Sequence, residues 1–370
     1  MEKNLSEFLG NIRPLDKKAM QAARARQDQL TKPQGSLGRL EELSVQIAGI
    51  RGEVLPSMKN KVVITMAGDH GVVASGVSAY PQEVTPQMVY NFLRGGAGIN
   101  VLSRQVGARV VGINVLARQT GARVVIVDMG VAAPLESHPQ LISRKVAPGT
   151  NNLATGPAMT REQAIQSIQT GIEIVESELA KGLDIVGTGD MGIGNTTPSS
   201  AICAAITGQP VAKITGRGTG INDQQHAHKI KVIEQGLAVN QPDSKDALDV
   251  LTKVGGFEIG GLAGVILGAA HYRIPVVIDG FISGAAALIA CGLSSRARDY
   301  IIASHMSVEP GHKAMLKHLK LKPLLDLNLR LGEGTGATLG IFMAECAVRV
   351  LAEMATFAEA GVSEASPHLD

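Results

Sequence analysis

Tryptophan is absent from this chain, and its 370 residues include only 6 phenylalanines and 4 tyrosines. Such a chain relies on close backbone packing and glycine loops more than on aromatic anchors. The net charge of +2 is too balanced to attract a polyanion, and no basic run is interleaved with aromatics, so a nucleic-acid partner is not expected. The three cysteines, Cys203, Cys291 and Cys346, are widely separated in apolar stretches without a C-x-x-C pair. That spacing excludes a disulfide framework and predicts buried free thiols of a reducing cytosol. No uncharged apolar run reaches the roughly 18 residues of a membrane span. The charged start, Met1 to Glu7, does not read as a signal peptide. A cytoplasmic protein with no membrane span is the expectation.

Glycine is what the chain has in excess, at 43 residues. The stretch Gly187 to Ala201 reads G-T-G-D-M-G-I-G-N-T-T-P-S-S-A. An apolar run, Leu183 to Val186, leads in, and an Ala/Ile-rich helical run from Ser199 leads out, predicting strand, glycine loop and helix. Gly187, Gly189, Gly192 and Gly194 let backbone approach a ligand closely. Asn195, Thr196 and Thr197 suit a helix start, and Pro198 suits its first position. The N–H groups of such a start seat an anion, most often a phosphate. Asp190 is the one carboxylate there; a tight turn with a capping Asp would look similar.

Four further loops share this character. Thr215-Gly-Arg-Gly-Thr-Gly220 precedes a helix carrying His226, His228 and Lys229. The two histidines at i, i+2 do not share a helix face, which excludes a metal pair. Lys229 faces either an anion or solvent. Gly255 to Gly261 opens a buried helix. Strands Pro275 to Ile278 and Tyr300 to Ala303 end in Asp279-Gly280-Phe281 and Ser304-His305-Met306-Ser307. Glu333, in L-R-L-G-E-G-T-G-A, is flanked by glycines ahead of a long helix from Ala337 to Phe357. Desolvation there would raise its proton affinity, and a helix cap is the structural alternative.

Strands of four to six apolar residues alternating with helices predict a parallel α/β sheet buried on both faces. Its first strand, Lys61 to Ala67, delivers Gly68-Asp69-His70-Gly71 to the end where ligands gather. Next comes Val77 to Thr85, with Tyr80 and Pro81, then a helix with Gln87 and Met88. Tyr80 and Met88 suit either the core or the wall of a flat apolar ligand. Residues 1–50 are helical, broken at Pro14 and at Thr31 to Leu40.

These motifs are similar to those of the nicotinate-nucleotide–dimethylbenzimidazole phosphoribosyltransferase family. They are G-T-G-D-M-G-I-G-N-T-T-P-S-S-A, G-R-G-T-G, V-V-I-D-G-F-I-S-G-A-A-A-L, S-H-M-S-V-E-P-G-H, L-R-L-G-E-G-T-G-A and the early K-P-x-G-S-L-G-x-L-E. The resemblance covers roughly residues 5–360. It implies an α/β fold with a parallel Rossmann-like sheet flanked by helices in a large domain, 51–337. A small helical domain would be formed from the N- and C-terminal segments, 1–50 and about 338–370. It further implies a homodimer, and transfer of 5-phosphoribose from nicotinate mononucleotide to 5,6-dimethylbenzimidazole or a related base, with no cofactor and no metal.

By the same resemblance Glu333 is the general base, with Asp190 and Lys229 as further catalytic groups. Tyr80, Pro81, Gln87, Met88 and Leu331 border the base. Gly189, Gly192, Gly194, Asn195, Thr196, Gly218, Thr219, Asp279, Gly280, Phe281 and Ser307 hold phosphate, ribose and nicotinate. Two positions depart from the pattern, which has Glu at 190 and Gln at 88. The residues alone leave two rivals open. One is a metal-dependent phosphohydrolase using Asp69, His70, Asp190 and Asp279; the other is a non-catalytic nucleotide sensor.

One feature belongs to no such pattern. Gly98 to Val111 is repeated at once as Gly112 to Val125, with only Ser103/Ala117 and Val106/Thr120 differing. A solenoid needs three or more repeats. Each copy reads as a helix end, a glycine stop and a strand start, but only the second continues, through Arg123 to Asp128, into a further loop. One copy is thus surplus, and the first is expected as an excursion beside the helix-to-strand slot. Such an insertion costs on the order of 1 kcal/mol or less in closure entropy. Deleting Gly98 to Val111 should keep activity and leave thermal stability equal or higher; a deletion variant that does not fold would place both copies in the core.

Overall fold

The computed structural model describes residues 2–97 and 122–363. Its centre is a six-stranded, all-parallel sheet in the order β3-β2-β1-β4-β5-β6. The strands are β1 (Lys61–Gly68), β2 (Ala122–Gly130), β3 (Leu141–Ser143), β4 (Ile185–Met191), β5 (Val276–Ile278) and β6 (Ile301–Ala303). That order is doubly wound and reverses between β1 and β4, so the switch point lies beyond their carboxyl ends. All eight residues of β1 are buried, which is why the strand reads as a near-continuous apolar run, interrupted only by Lys61 at its start and Thr65. Of the repeated segment, only the end of the second copy falls among the described residues; there Arg123 pairs with Val62 as the second residue of β2. The expectation for the first copy lies outside them.

The helices are α1 (Glu2–Gly10), α2 (Lys17–Gln29), α3 (Arg39–Arg51), α4 (Val84–Arg94), α5 (Arg161–Leu179), α6 (Thr196–Thr207), α7 (Asp223–Asn240), α8 (Ala247–Val254), α9 (Phe257–His271), α10 (Phe281–Leu293), α11 (Pro310–Leu319) and α12 (Thr335–Glu353). α9 is buried along its length except at its last residue, His271. It lies against α5 so closely that a Cβ on Gly171 would overlap the Gly261 carbonyl, and one on Gly264 the Ile168 carbonyl. Among the described residues α12 alone is long and apolar enough to cross a membrane, yet Ala337, Ile341, Ala344, Ala347, Val348 and Leu351 along it are buried, as in a core helix.

The chain divides into two compact units, Met1–Arg13 with Lys59–Ile341, and Pro14–Met58 with Phe342–Asp370. The expected boundary at residue 50 is therefore corrected at the start of the chain, because α1 belongs to the sheet-containing unit. Phe8 stacks on His271 with ring centroids 3.9 Å apart, and Glu2 pairs with Arg161 at 2.7 Å. Tyr300 Oη and Arg296 donate to the carbonyls of Arg13 and Ile12. In the second unit Ala23, Val45, Ala48 and Leu351 form a small core, and Arg26 Nε donates to the Leu351 carbonyl at 2.7 Å. The K-P-x-G-S-L-G-x-L-E motif also acts there: Glu41 Oε1 takes Lys32 Nζ at 2.8 Å and the Leu37 N–H at 3.0 Å.

The central glycine motif is corrected too. Its first third is strand, not loop, since β4 runs through Gly187 to Met191. Gly187 packs where a Cβ would press on Ile341, Ala337 and Val63, and Gly189 where a Cβ would lie 2.6 Å from the Glu333 carbonyl oxygen. α6 begins at Thr196, which places Pro198 third in the helix instead of first.

β5 delivers Asp279 to the start of α12, where its two carboxylate oxygens accept the N–H groups of Gly334 and Ala337 at 3.0 Å each. Fully buried, its carboxyl is pushed up to about 7 by burial, against the pull of the Gly334, Ala337 and Gly336 N–H groups. An unfolded Asp titrates near about 3.9. The folded protein therefore holds this proton more tightly, and the contribution of Asp279 to stability falls as pH rises from about 4 to about 7. In Asp279→Asn that slope is absent. Denaturant unfolding should show the parent's advantage over the variant shrinking by about 2–3 kcal/mol between pH 5 and pH 7.5. An advantage that grows with pH would mean that the ionised carboxylate is the stabilising form.

Candidate active site

A cleft of about 500 Å³ opens beyond the carboxyl ends of β4, β5 and β6. Of the residues expected at the site, Tyr80, Asp190, Asn195, Thr196, Gly218, Thr219, Gly280, Phe281, Ser307 and Leu331 line it. His305, Glu309, Asn328, Leu329, Arg330 and Ile282 line it as well. These six lie within or beside the quoted motifs, but nothing in their local pattern marks them out. Glu309, for example, reads simply as the residue before a helix that starts with proline.

One group of residues at the cleft is acidic. Asp190, next to last in β4, pairs in register with Met66 of β1. Its Oδ2 accepts from Asn195 Nδ2 at 3.0 Å, while its Oδ1 is buried with no hydrogen-bond partner among the described residues. Burial raises this carboxyl well above the usual range, and Asp279, Glu258 and Glu333 add repulsion that the Asn195 amide only partly offsets. Asn195 thus spends its side chain on Asp190 and makes no cap bond to α6.

Glu333 is buried at the base of the loop that passes over Gly189. Its φ of 66° is left-handed, between Gly332 at 80° and Gly334 at 89°. Non-glycine residues adopt that region at a cost of roughly 1–2 kcal/mol, and such outliers gather where geometry serves function. Thr65 Oγ1 donates to the Glu333 carbonyl at 3.2 Å, which anchors the loop to β1. A Cβ on Gly332 would lie 3.2 Å from Asp190 Oδ2, so the loop and Asp190 are neighbours.

A second group is built for an anion. Lys229, on α7, is 1% exposed and donates to Thr196 Oγ1 at 2.6 Å. Burial brings its amine down to about 8, although Glu309 favours the charged form. Thr196 opens α6, whose N–H groups and dipole favour negative charge. Gly218 stands beside this pair, with Arg330 donating to its carbonyl at 3.1 Å.

The remaining expected residues sit elsewhere. A Cβ on Gly192 would overlap the Gly68 carbonyl, and one on Gly194 (φ 89°) would lie 2.5 Å from Val73 Cγ2, so both serve the turn. Gly189 backs the Glu333 loop and Asp279 caps α12. Pro81 and Gln87 are exposed, and Met88 on α4 is half-buried, its Sδ 3.9 Å from Asn91 Nδ2. The residues of the metal reading are not assembled: Asp69 Oδ2 accepts the Ala132 N–H, His70 Nε2 meets Glu258 at 2.8 Å, and Asp190 and Asp279 are engaged as described. Among the described residues no three His, Cys, Asp or Glu converge as ligands. The cysteines are free, but only Cys203 is fully buried; Cys291 and Cys346 are partly exposed, which corrects that expectation.

The Phosphoribosyltransferase family model matches residues 12–112 and 110–362, in two stretches that meet where the first copy of the repeat gives way to the second. The chain is 58% identical over 361 residues to nicotinate-nucleotide–dimethylbenzimidazole phosphoribosyltransferase of Desulforudis audaxviator, covering 98% of each chain. It is 60% identical over 359 residues to that of Roseiflexus castenholzii, covering 97% of this chain and 98% of the relative. The crystal structure of the Thermus thermophilus enzyme superposes with a TM-score of 0.86 at 44% identity, covering 95% of this chain and all of the other. With a family model spanning nearly its whole length and such identities, the chain belongs to the nicotinate-nucleotide–dimethylbenzimidazole phosphoribosyltransferase family.

Proposed function

We propose that this protein transfers 5-phosphoribose from nicotinate mononucleotide to 5,6-dimethylbenzimidazole, giving α-ribazole 5′-phosphate and nicotinate. The observation that carries the reading is the meeting of two groups at the cleft: Asp190 with the Glu333 loop, and Thr196 and Gly218 with the Lys229 ammonium behind them. A nucleotide donor needs both: an anion seat for its phosphate, and carboxylates where positive charge develops on the ribose.

One ring nitrogen of the acceptor attacks C1′, and the bond to the nicotinate ring nitrogen breaks. The leaving group departs neutral at that nitrogen because the donor ring is already cationic. Displacement passes through an oxocarbenium-like state, as in glycoside hydrolysis; Asp190, whose ionisation burial disfavours in the free protein, is drawn toward its charged form by the cationic donor and then stabilises that charge. Glu333 takes the proton from the acceptor's second nitrogen. Leu331 and Tyr80, both half-exposed at the cleft, cover the apolar faces of the acceptor. Lys229 and the start of α6 neutralise the phosphate. We also infer that the enzyme works as a cytoplasmic homodimer without metal or cofactor; free cysteines accord with a reducing compartment.

Incubating the protein with both substrates and reading products by mass tests this. The ribotide and nicotinate should appear in equal amounts and persist in the presence of a chelator. Donor binding without nicotinate release would leave a nucleotide sensor. Glu333→Gln should bind nicotinate mononucleotide nearly as the parent does and turn over roughly 10²–10⁴-fold more slowly, the usual share of a general base. A variant that keeps near-full rate removes Glu333 from the mechanism.

A further inference from the structure

The group that suits an anion contains an acid. Glu309 precedes α11, lines the cleft and is only 7% exposed. Its Oε1 accepts the Gly218 N–H at 3.0 Å. Its Oε2 is buried with no hydrogen-bond partner among the described residues, pressed beneath Gly216, where a Cβ would overlap it. A Cβ on Gly218 would lie 2.9 Å from Thr196 Oγ1 and 3.5 Å from Lys229 Nζ, so the loop, the hydroxyl and the ammonium form one cluster. The charge of Glu309 acts on that ammonium. The N–H that suits a phosphate is therefore already engaged by a carboxylate, whose charge also acts on the neighbouring ammonium. A phosphate arriving there meets like charge in a partly desolvated site, where salt screens little.

Resting on the donor site proposed above, we propose that Glu309 is a specificity residue that competes with free phosphate for the Gly218 N–H and the Lys229 ammonium. A phosphate ester carries a ribose and a ring whose own contacts help to displace the carboxylate; inorganic phosphate has neither. Repulsion aimed at the wrong ligand is a common source of discrimination. Pro310 follows directly and starts α11, so the backbone at Glu309 is held and the carboxylate yields by side-chain rotation.

The test is calorimetric titration of inorganic phosphate into the full-length protein and its Glu309→Gln and Glu309→Asp variants. Glutamine keeps an oxygen for the Gly218 bond but loses the charge, and should bind phosphate about tenfold tighter or more; aspartate keeps the charge and should stay within about threefold of the parent. Nicotinate riboside, which lacks the phosphate, should bind all three alike. Unchanged or weaker phosphate binding by Glu309→Gln overturns the proposal. So does a riboside affinity that falls with the substitution, which would make Glu309 a ribose ligand. Glu309→Ala removes the charge by a second route and must shift phosphate affinity in the same direction, so a misfolded Gln variant does not rescue the idea. The parent's transfer assay reports separately on the donor site. A parent that forms the ribotide while the uncharged variants gain no phosphate affinity refutes only this proposal. A parent that forms none while they gain it refutes only the function.

Discussion

The cleft depends on the two bonds that Asp279 makes to Gly334 and Ala337. A glutamate in left-handed conformation between two positive-φ glycines is costly. Asp279, at the end of β5, fixes the loop just past Glu333, while Thr65 of β1 holds its carbonyl. Two strands thus impose a conformation that the loop would not adopt alone. The same contacts start α12, so the position of Glu333 and the entry of a long core helix are set together.

Around that clamp the charges fall into two groups. Asp279, Glu258 and Glu333 each disfavour ionisation of Asp190, and burial compounds the effect. Lys229, Thr196 and the start of α6 form a group favourable to an anion. In the proposed reaction the second group takes the donor's phosphate and the first meets its ribose. Glu309 is the exception, a carboxylate beside the anion group, and that placement is what gives it a distinct role.

The parallel sheet was legible in sequence because strands such as Lys61–Gly68 are buried on both faces and read as near-continuous apolar runs. The second half of β4 was not. Gly187-Thr-Gly-Asp-Met191 has loop propensity, and it is strand because a Cβ at Gly187 or Gly189 would meet α12 or the Glu333 carbonyl, contacts made by residues well over a hundred positions later. The placement of α1 was equally hidden, since an amphipathic helix does not say which surface it covers until Phe8 is seen on His271. Within the site, Asp190, Asn195, Thr196 and Gly218 announced themselves through glycine-rich helix starts. Asp279 was marked by its place after a strand, but its partners lie 55 and 58 residues on, and its capping role needed the fold.

The account stands on Glu333 meeting the acceptor. A structure of the protein with 5,6-dimethylbenzimidazole bound measures this directly. The account predicts a Glu333 carboxylate oxygen about 2.6–3.2 Å from a ring nitrogen, the reach of a working base. A ring whose nitrogens face only solvent or Asp190 would contradict it.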